Sequence, residues 1–280
     1  MQPAFANCCA IAFPKPFDAP VIITFINCFI NGKLTSNSYI QAIEIVTCGM
    51  KYRHLFFDLD HTLWDFEANA KETIKEVYDL NGLHVRGITN FDHFFNRYSY
   101  HNERLWDRYT KGFIKQEELR WKRMWFALLD FKIGSEELSK RMSAEFLERL
   151  PFKKNLFPYT IEILEYLKQN GYILHLVTNG FESIQYSKLD NSNMRNYFTE
   201  VITSEASNSL KPNKEIFEYA LSKSGAATHE SIMIGDNLDA DIKGGMDAGL
   251  DTIFVNHLNI EPHIKPTYII YHLKELEDIF

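Results

Sequence analysis

Residues 52–66 read YRHLFFDLDHTLWDF. The run His54-Leu55-Phe56-Phe57 carries no formal charge and ends abruptly in Asp58-Leu59-Asp60. Short apolar runs with no alternation mark strands buried on both faces, as in a parallel sheet covered by helices. Carboxylates at i and i+2 leaving such a strand can point to the same side. The stretch therefore predicts a central strand that stops on reaching a site.

Working outward, further strands are expected over 173–177, 201–203, 231–234, 252–255 and 268–271, with helices between them. Residues 159–170 place Ile161, Leu164 and Leu167 on one face, begin after Pro158 and stop at Gly171. Residues 213–224 group Ile216, Phe217, Ala220 and Leu221 and stop at Gly225. This alternation predicts an α/β fold, a Rossmann-like and mainly parallel sheet. The stretch from Asp65 to Leu150 differs: it has helical periodicity and is rich in aromatics, among them Phe94, Phe95, Tyr98, Trp106 and Tyr109. It predicts an inserted all-helical cap that returns to the sheet near Leu156. Sites in open parallel sheets lie at the carboxyl ends of the strands, so such an insertion would stand over the site. The expected organisation is a core of 51–64 and 151–280, a cap of 65–150, and an extension of 1–50.

That extension is compositionally distinct. It holds all four cysteines, Cys8, Cys9, Cys28 and Cys48, and only four charged side chains, Lys15, Asp18, Lys33 and Glu44. Its longest uncharged run, residues 19–32, is shorter than the ~20 apolar residues that cross a bilayer, and no basic region precedes it as in a signal peptide. The expectation is sequence upstream of a start at Met50, and a cytoplasmic protein. The four early charges cancel, so the net charge of −7 belongs to the remainder. An acidic chain of this kind argues against nucleic acid or an anionic membrane as partner. The sequence leaves the oligomeric state open.

Four short signals follow predicted strands: Asp58-Leu59-Asp60-His61-Thr62, Thr178-Asn179-Gly180, Lys211-Pro212, and Asp236 with Asp241 in Gly235-Asp236-Asn237-Leu238-Asp239-Ala240-Asp241. Brought together, Asp58, Asp60, Asp236 and Asp241 could not all stay ionised beside one lysine, because like charges ~4 Å apart repel by about 4 kcal/mol at an effective dielectric near 20. A divalent cation preferring oxygen ligands is the natural remedy, and Mg²⁺ suits few carboxylates, water and a phosphate. Carboxylate, hydroxyl, lysine and Mg²⁺ together suit phosphoryl transfer.

These residues resemble the haloacid dehalogenase superfamily of phosphatases, whose ordered motifs are D-x-D-x-T, a strand ending in Thr or Ser, Lys, and G-D-x-x-x-x-D. The resemblance implies that Asp58 attacks phosphorus, and that Asp60 protonates the leaving oxygen and then activates water. It implies that Thr178, Asn179 and Lys211 hold the phosphate. Asp58, Asp236 and the Asp60 carbonyl would ligate Mg²⁺, with Asp241 in support. Residues 52–66, 176–180, 204–205, 234–249 and 266–268, with the insertion over 105–126, are similar to the YjjG/YfnB-type pyrimidine 5'-nucleotidases. That implies a nucleoside monophosphate such as dUMP or dTMP as substrate. A phosphatase for phosphoglycolate or a sugar phosphate, or a phosphomutase, stays open as an alternative.

Each motif has a plainer reading. Asp236, Asp239 and Asp241 fail the calcium-loop pattern, which needs a later Glu; Thr178 could cap the next helix; Lys211 alone could be a surface charge. The aromatics of the insertion are expected to form helix-bundle core. A lone D-x-D would also suit a glycosyltransferase, and the other three motifs argue against it.

Overall fold

A computed structural model describes residues 50–280; the readings of the leader and its cysteines lie outside these residues. Six strands, β1 (His54–Phe57), β2 (Ile173–Thr178), β3 (Phe198–Thr203), β4 (Ser231–Gly235), β5 (Asp251–Val255) and β6 (Tyr268–Ile270), form one sheet in the order β3-β2-β1-β4-β5-β6. Every pairing is parallel. All six expected strands are present; β3 begins three residues before the expected 201, where Phe198 is buried but Thr199 faces outward and interrupts the apolar run.

Four helices separate β1 from β2's own helix: α1 (Phe66–Leu80), α2 (Phe91–Thr110), α3 (Gln116–Asp130) and α4 (Glu136–Arg149). Their starts are chemically specified. Asp65, Asn90 and Ser135 each accept a hydrogen bond from a first-turn amide, from Ala68, His93 and Leu138 respectively, which satisfies a donor the helix cannot. Part of the aromatic stripe is core, as its spacing suggested: Phe94, Phe95, Tyr98 and Phe146 are buried together, whereas Trp106 and Tyr109 are half-buried. The chain returns at Leu156, which bridges Trp64.

The rest of the chain alternates strand and helix: α5 (Thr160–Gln169), α6 (Glu182–Asn191), the short α7 (Ser204–Ser207), α8 (Lys214–Ser224) and α9 (Gly244–Asp247). A turn of π-helix, Leu238–Lys243, leads into α9. Residues alternate between sheet faces. Leu55 and Phe57 pack with Leu174, Leu176, Ile232 and Ile234 beneath α5, whereas Phe56, Val177, Ile202 and Met233 meet Ile216, Phe217 and Ala220 of α8. The sheet is thus covered on both sides, which explains its largely apolar strands. From β1 the chain first builds outward to β2 and β3, then returns to β4 on the other side of β1. That reversal opens a crevice at the carboxyl ends of β1 and β4, where ligands bind in open α/β sheets.

Candidate active site

The register sets the site's floor. Phe57 lies opposite both Leu176 and Ile234, so Asp58 leaves β1 level with Val177 and Gly235. The Asp58 amide continues the ladder by donating to the Ile234 carbonyl at 2.9 Å. The chain then turns tightly: the amides of Leu63 and Trp64 both donate to the Leu59 carbonyl, and His61 takes a left-handed conformation (φ 65°).

Asp58, Asp236 and Asp241 converge, each offering a carboxylate oxygen within 4.8 Å of the others. Lys211 enters among them with its side chain 2% exposed. Its Nζ lies 2.6 Å from Asp58 Oδ1 and 2.7 Å from Asp241 Oδ1, and donates to the Val177 carbonyl at 2.7 Å. Burial pushes the Asp58 carboxyl up to about 7, with Lys211 pulling it down and Asp241 adding to the rise. Burial, then Asp58 and Asp241, hold Asp236 well above the carboxylate range. Burial would lower Lys211, but the charges of Asp241 and Asp58 more than offset it, so its pKa is raised.

Three carboxylates facing one ammonium are short of positive charge, and their donors are all oxygen. That donor set fits Mg²⁺. The spacing from Asp236 to Asp241 is explained by the turn after β4: Asp241 Oδ2 accepts from the Asn237 amide at 3.0 Å, which folds the turn back onto the site. Gly235 makes room for this, because a Cβ there would lie 2.3 Å from Asp241 Oδ2.

Three further residues fix positions. Thr62 accepts from the Asp236 amide at 3.1 Å and donates to Asp236 Oδ1 at 3.0 Å, so the last residue of D-x-D-x-T holds the fourth motif. Thr178, buried at the end of β2, accepts from the Gly180 amide at 3.0 Å. The Asn179 side chain is engaged at both ends by Lys211: Nδ2 donates to its carbonyl at 2.9 Å and Oδ1 accepts from its amide at 2.7 Å. Through its side chain, Asn179 therefore places Lys211.

Asp60 stands apart from the carboxylate cluster. Its Oδ1 is 2.6 Å from Lys188 Nζ, and its Oδ2 accepts from Gln185 Nε2 at 2.8 Å. Burial would raise its carboxyl, but Lys188 and then Gln185 more than reverse this, leaving Asp60 below its ordinary value. Neither partner was found by the sequence reading. Both lie on α6, whose inward face carries Gln185, Lys188 and Leu189, so no apolar periodicity marks it. The i, i+3 spacing of Gln185 and Lys188 after the Thr178 motif is the signal that was available.

With this geometry in place, the comparisons with known proteins are specific. Residues 52–249 match the model of the haloacid dehalogenase-like hydrolases. The chain belongs to this family. Among its relatives, the pyrimidine 5'-nucleotidase PynA of Streptococcus pneumoniae is 31% identical over 233 residues, covering 82% of this chain and 95% of that protein. The pyrimidine 5'-nucleotidase YjjG of Escherichia coli is 30% identical over 239 residues, covering 82% of this chain and 98% of that protein. Among solved structures, the HAD-hydrolase YfnB from Bacillus subtilis, bound to magnesium, superposes with a TM-score of 0.74 at 29% identity, over 82% of this chain and 98% of that one. Membership accounts for the all-parallel core with a site at its carboxyl edge. Among the described residues, no helix is long and apolar enough to cross a membrane.

Proposed function

We propose that this phosphomonoester hydrolase removes phosphate from pyrimidine nucleoside 5'-monophosphates through a phosphorylated Asp58. The substrate reading rests on one observation above all: relatives described as pyrimidine 5'-nucleotidases align with this chain over nearly their whole lengths. The chemistry is supported by the arrangement at the sheet edge. Asp58 emerges from the central strand with Oδ1 engaged by Lys211, which orients the carboxylate for attack.

In the first step an Asp58 oxygen forms a bond to phosphorus, and the bond from phosphorus to the ester oxygen breaks. The electron pair of that bond goes to the leaving oxygen, which takes a proton from Asp60 in its acid form, a proton Asp60 must first gain against the Lys188 pairing that favours its carboxylate. In the second step water attacks phosphorus, Asp60 takes its proton, and Asp58 is released with inorganic phosphate as product. Lys211 and Thr178 hold the phosphoryl oxygens, and Asn179 keeps Lys211 in place. Asp58, Asp236 and the Asp60 carbonyl, with Asp241 in support, are the residues that would hold Mg²⁺. Bound there, the ion would supply the positive charge that three buried carboxylates and a phosphate require.

In this reading residues 65–150 act as a cap. The observed packing supports it: Leu105, Trp106 and Leu119 of the helical insertion pack on Phe181, just beyond the Thr178 motif, and the Trp106 and Phe181 rings stack at 5.8 Å.

A panel of phosphate esters tests the proposal, comparing dUMP and dTMP with purine nucleotides, phosphoglycolate and sugar phosphates. Preference for the pyrimidine nucleotides is expected, with turnover abolished by EDTA and restored by Mg²⁺. No activity on dUMP or dTMP would refute the substrate assignment. Full activity in Asp58→Asn would refute the phosphorylated intermediate.

A further inference from the structure

We infer that Lys188 and Gln185 form a two-point clamp that positions the Asp60 carboxylate for proton transfer. The inference rests on the assignment of Asp60 as acid and base. Each Asp60 oxygen accepts one hydrogen bond from the same helix face, Oδ1 from Lys188 and Oδ2 from Gln185. A carboxylate held at both oxygens loses rotation about its last side-chain bond, yet each oxygen keeps a second lone pair for the reacting proton.

Both clamp residues are buried against the loop that carries Asp60. Lys188 is 2% exposed, and its Nζ lies 4.3 Å above the Trp64 ring and 5.6 Å from that of Phe66. Trp64 is itself bridged to Asp60, so the lysine is enclosed by the loop that carries the acid. Gln185 is buried, and its Oε1 has no partner among the described residues. An unpartnered buried acceptor costs stability. It follows from turning the NH₂ group toward an acceptor-only carboxylate. Gly180 completes the arrangement: a Cβ there would lie 1.5 Å from Gln185 Nε2 and 2.4 Å from its Cδ. The glycine after Thr178-Asn179 thus provides the space through which the amide reaches Asp60.

The test measures kcat and KM on dUMP and on p-nitrophenyl phosphate for Lys188→Met, Lys188→Arg, Asp60→Asn and the double variant Lys188→Met/Asp60→Asn. Misplacing a reacting group by ~1 Å costs about 100-fold, so Lys188→Met should lower kcat on dUMP by ~100-fold, a large part of what general acid–base catalysis contributes. KM should stay within about threefold, because the clamp acts on the acid rather than on bound substrate. Lys188→Arg should recover at least ~10-fold, since it restores a cationic donor. In the Asp60→Asn background, where residual turnover is read with p-nitrophenyl phosphate, Lys188→Met should cost less than about twofold more. A wild-type kcat in Lys188→Met, or a full additional loss in the Asp60→Asn background, overturns the clamp. If Asp60→Asn itself is fully active, the acid–base reading falls instead. If Lys188→Met does not fold, Gln185→Leu reads the clamp from the other oxygen: a kcat loss of about 10-fold with KM unchanged supports it, and an unchanged kcat overturns it.

Discussion

Lys211→Met removes the ammonium that pairs with both Asp58 and Asp241 while keeping an unbranched side chain of similar length. Its Nζ stands 2.6 and 2.7 Å from their carboxylates. At an effective dielectric near 20, each attraction amounts to about 6 kcal/mol. Burying the lysine cancels much of this, and removing one partner of a buried ion pair generally costs about 3–5 kcal/mol. The variant also orphans the Val177 carbonyl, which accepts from Nζ at 2.7 Å. Urea unfolding followed by tryptophan fluorescence, at pH 8 in EDTA, should therefore show a loss of about 3–5 kcal/mol.

Two dependences should accompany that loss. With Lys211 present, burial already pushes Asp58 up to about 7, and deleting the lysine raises it further. The folded variant then binds a proton that the unfolded chain does not, so its deficit should shrink as pH falls from 8 to 6. Mg²⁺ stabilises each protein by about 2.7 kcal/mol at 100 times its own dissociation constant, so it should reduce the deficit only by the margin with which the variant, left with one more uncompensated carboxylate, binds the ion more tightly. Unfolding within about 1 kcal/mol of wild type in EDTA at pH 8 would refute the charge argument, since breaking a buried pair costs several times that.

Other parts of the molecule give separate expectations. Gly235→Ala places a methyl 2.3 Å from Asp241 Oδ2 and 2.7 Å from its Cβ; kcat on dUMP should fall by about 100-fold, and Mg²⁺ titration calorimetry should show weaker binding. His175, whose Nε2 lies 3.0 Å from His54 Nδ1, is lowered to about 4 by burial and then by His54. Its contribution to stability is complete above about pH 6.5 and declines as pH falls toward 4, by roughly 3 kcal/mol in all. Replacing it by Leu should flatten that part of the pH–stability curve, and an unchanged slope would contradict the assignment. Asn69 donates to the Asn155 carbonyl at 2.8 Å and accepts from the Asn155 amide at 3.0 Å, tying α1 to the chain returning to the sheet. Asn69→Leu should cost about 1–3 kcal/mol in chemical denaturation by orphaning the Asn155 amide, while the Asn155 carbonyl keeps the Asp65 amide at 3.0 Å.

The sheet was legible because its strands are buried on both faces. Such strands are largely apolar, and the three central ones, β1, β2 and β4, break off at a polar group where the sheet edge meets the site, at Asp58, Thr178 and Gly235-Asp236. The grouping of Asp58, Asp236 and Asp241 around Lys211 was expected from the resemblance of the ordered motifs to the haloacid dehalogenase pattern, not from the strand ends alone. The surroundings of Asp60 were not legible in the same way. Helix α6 buries Gln185 and Lys188, residues whose types ordinarily signal a solvated face, and only the fold supplies the carboxylate that makes their burial tolerable. Asn179 likewise read as a phosphate ligand from its motif, and tertiary structure gave its side chain to the main chain of Lys211, which is 32 residues away. The sequence by itself determined the parallel core and the acids at its edge, since apolar runs and their ends are local properties of the chain. Tertiary structure decided which polar group each acid meets, because a buried charge is stabilised by whatever partner the fold brings to it, at any distance along the sequence.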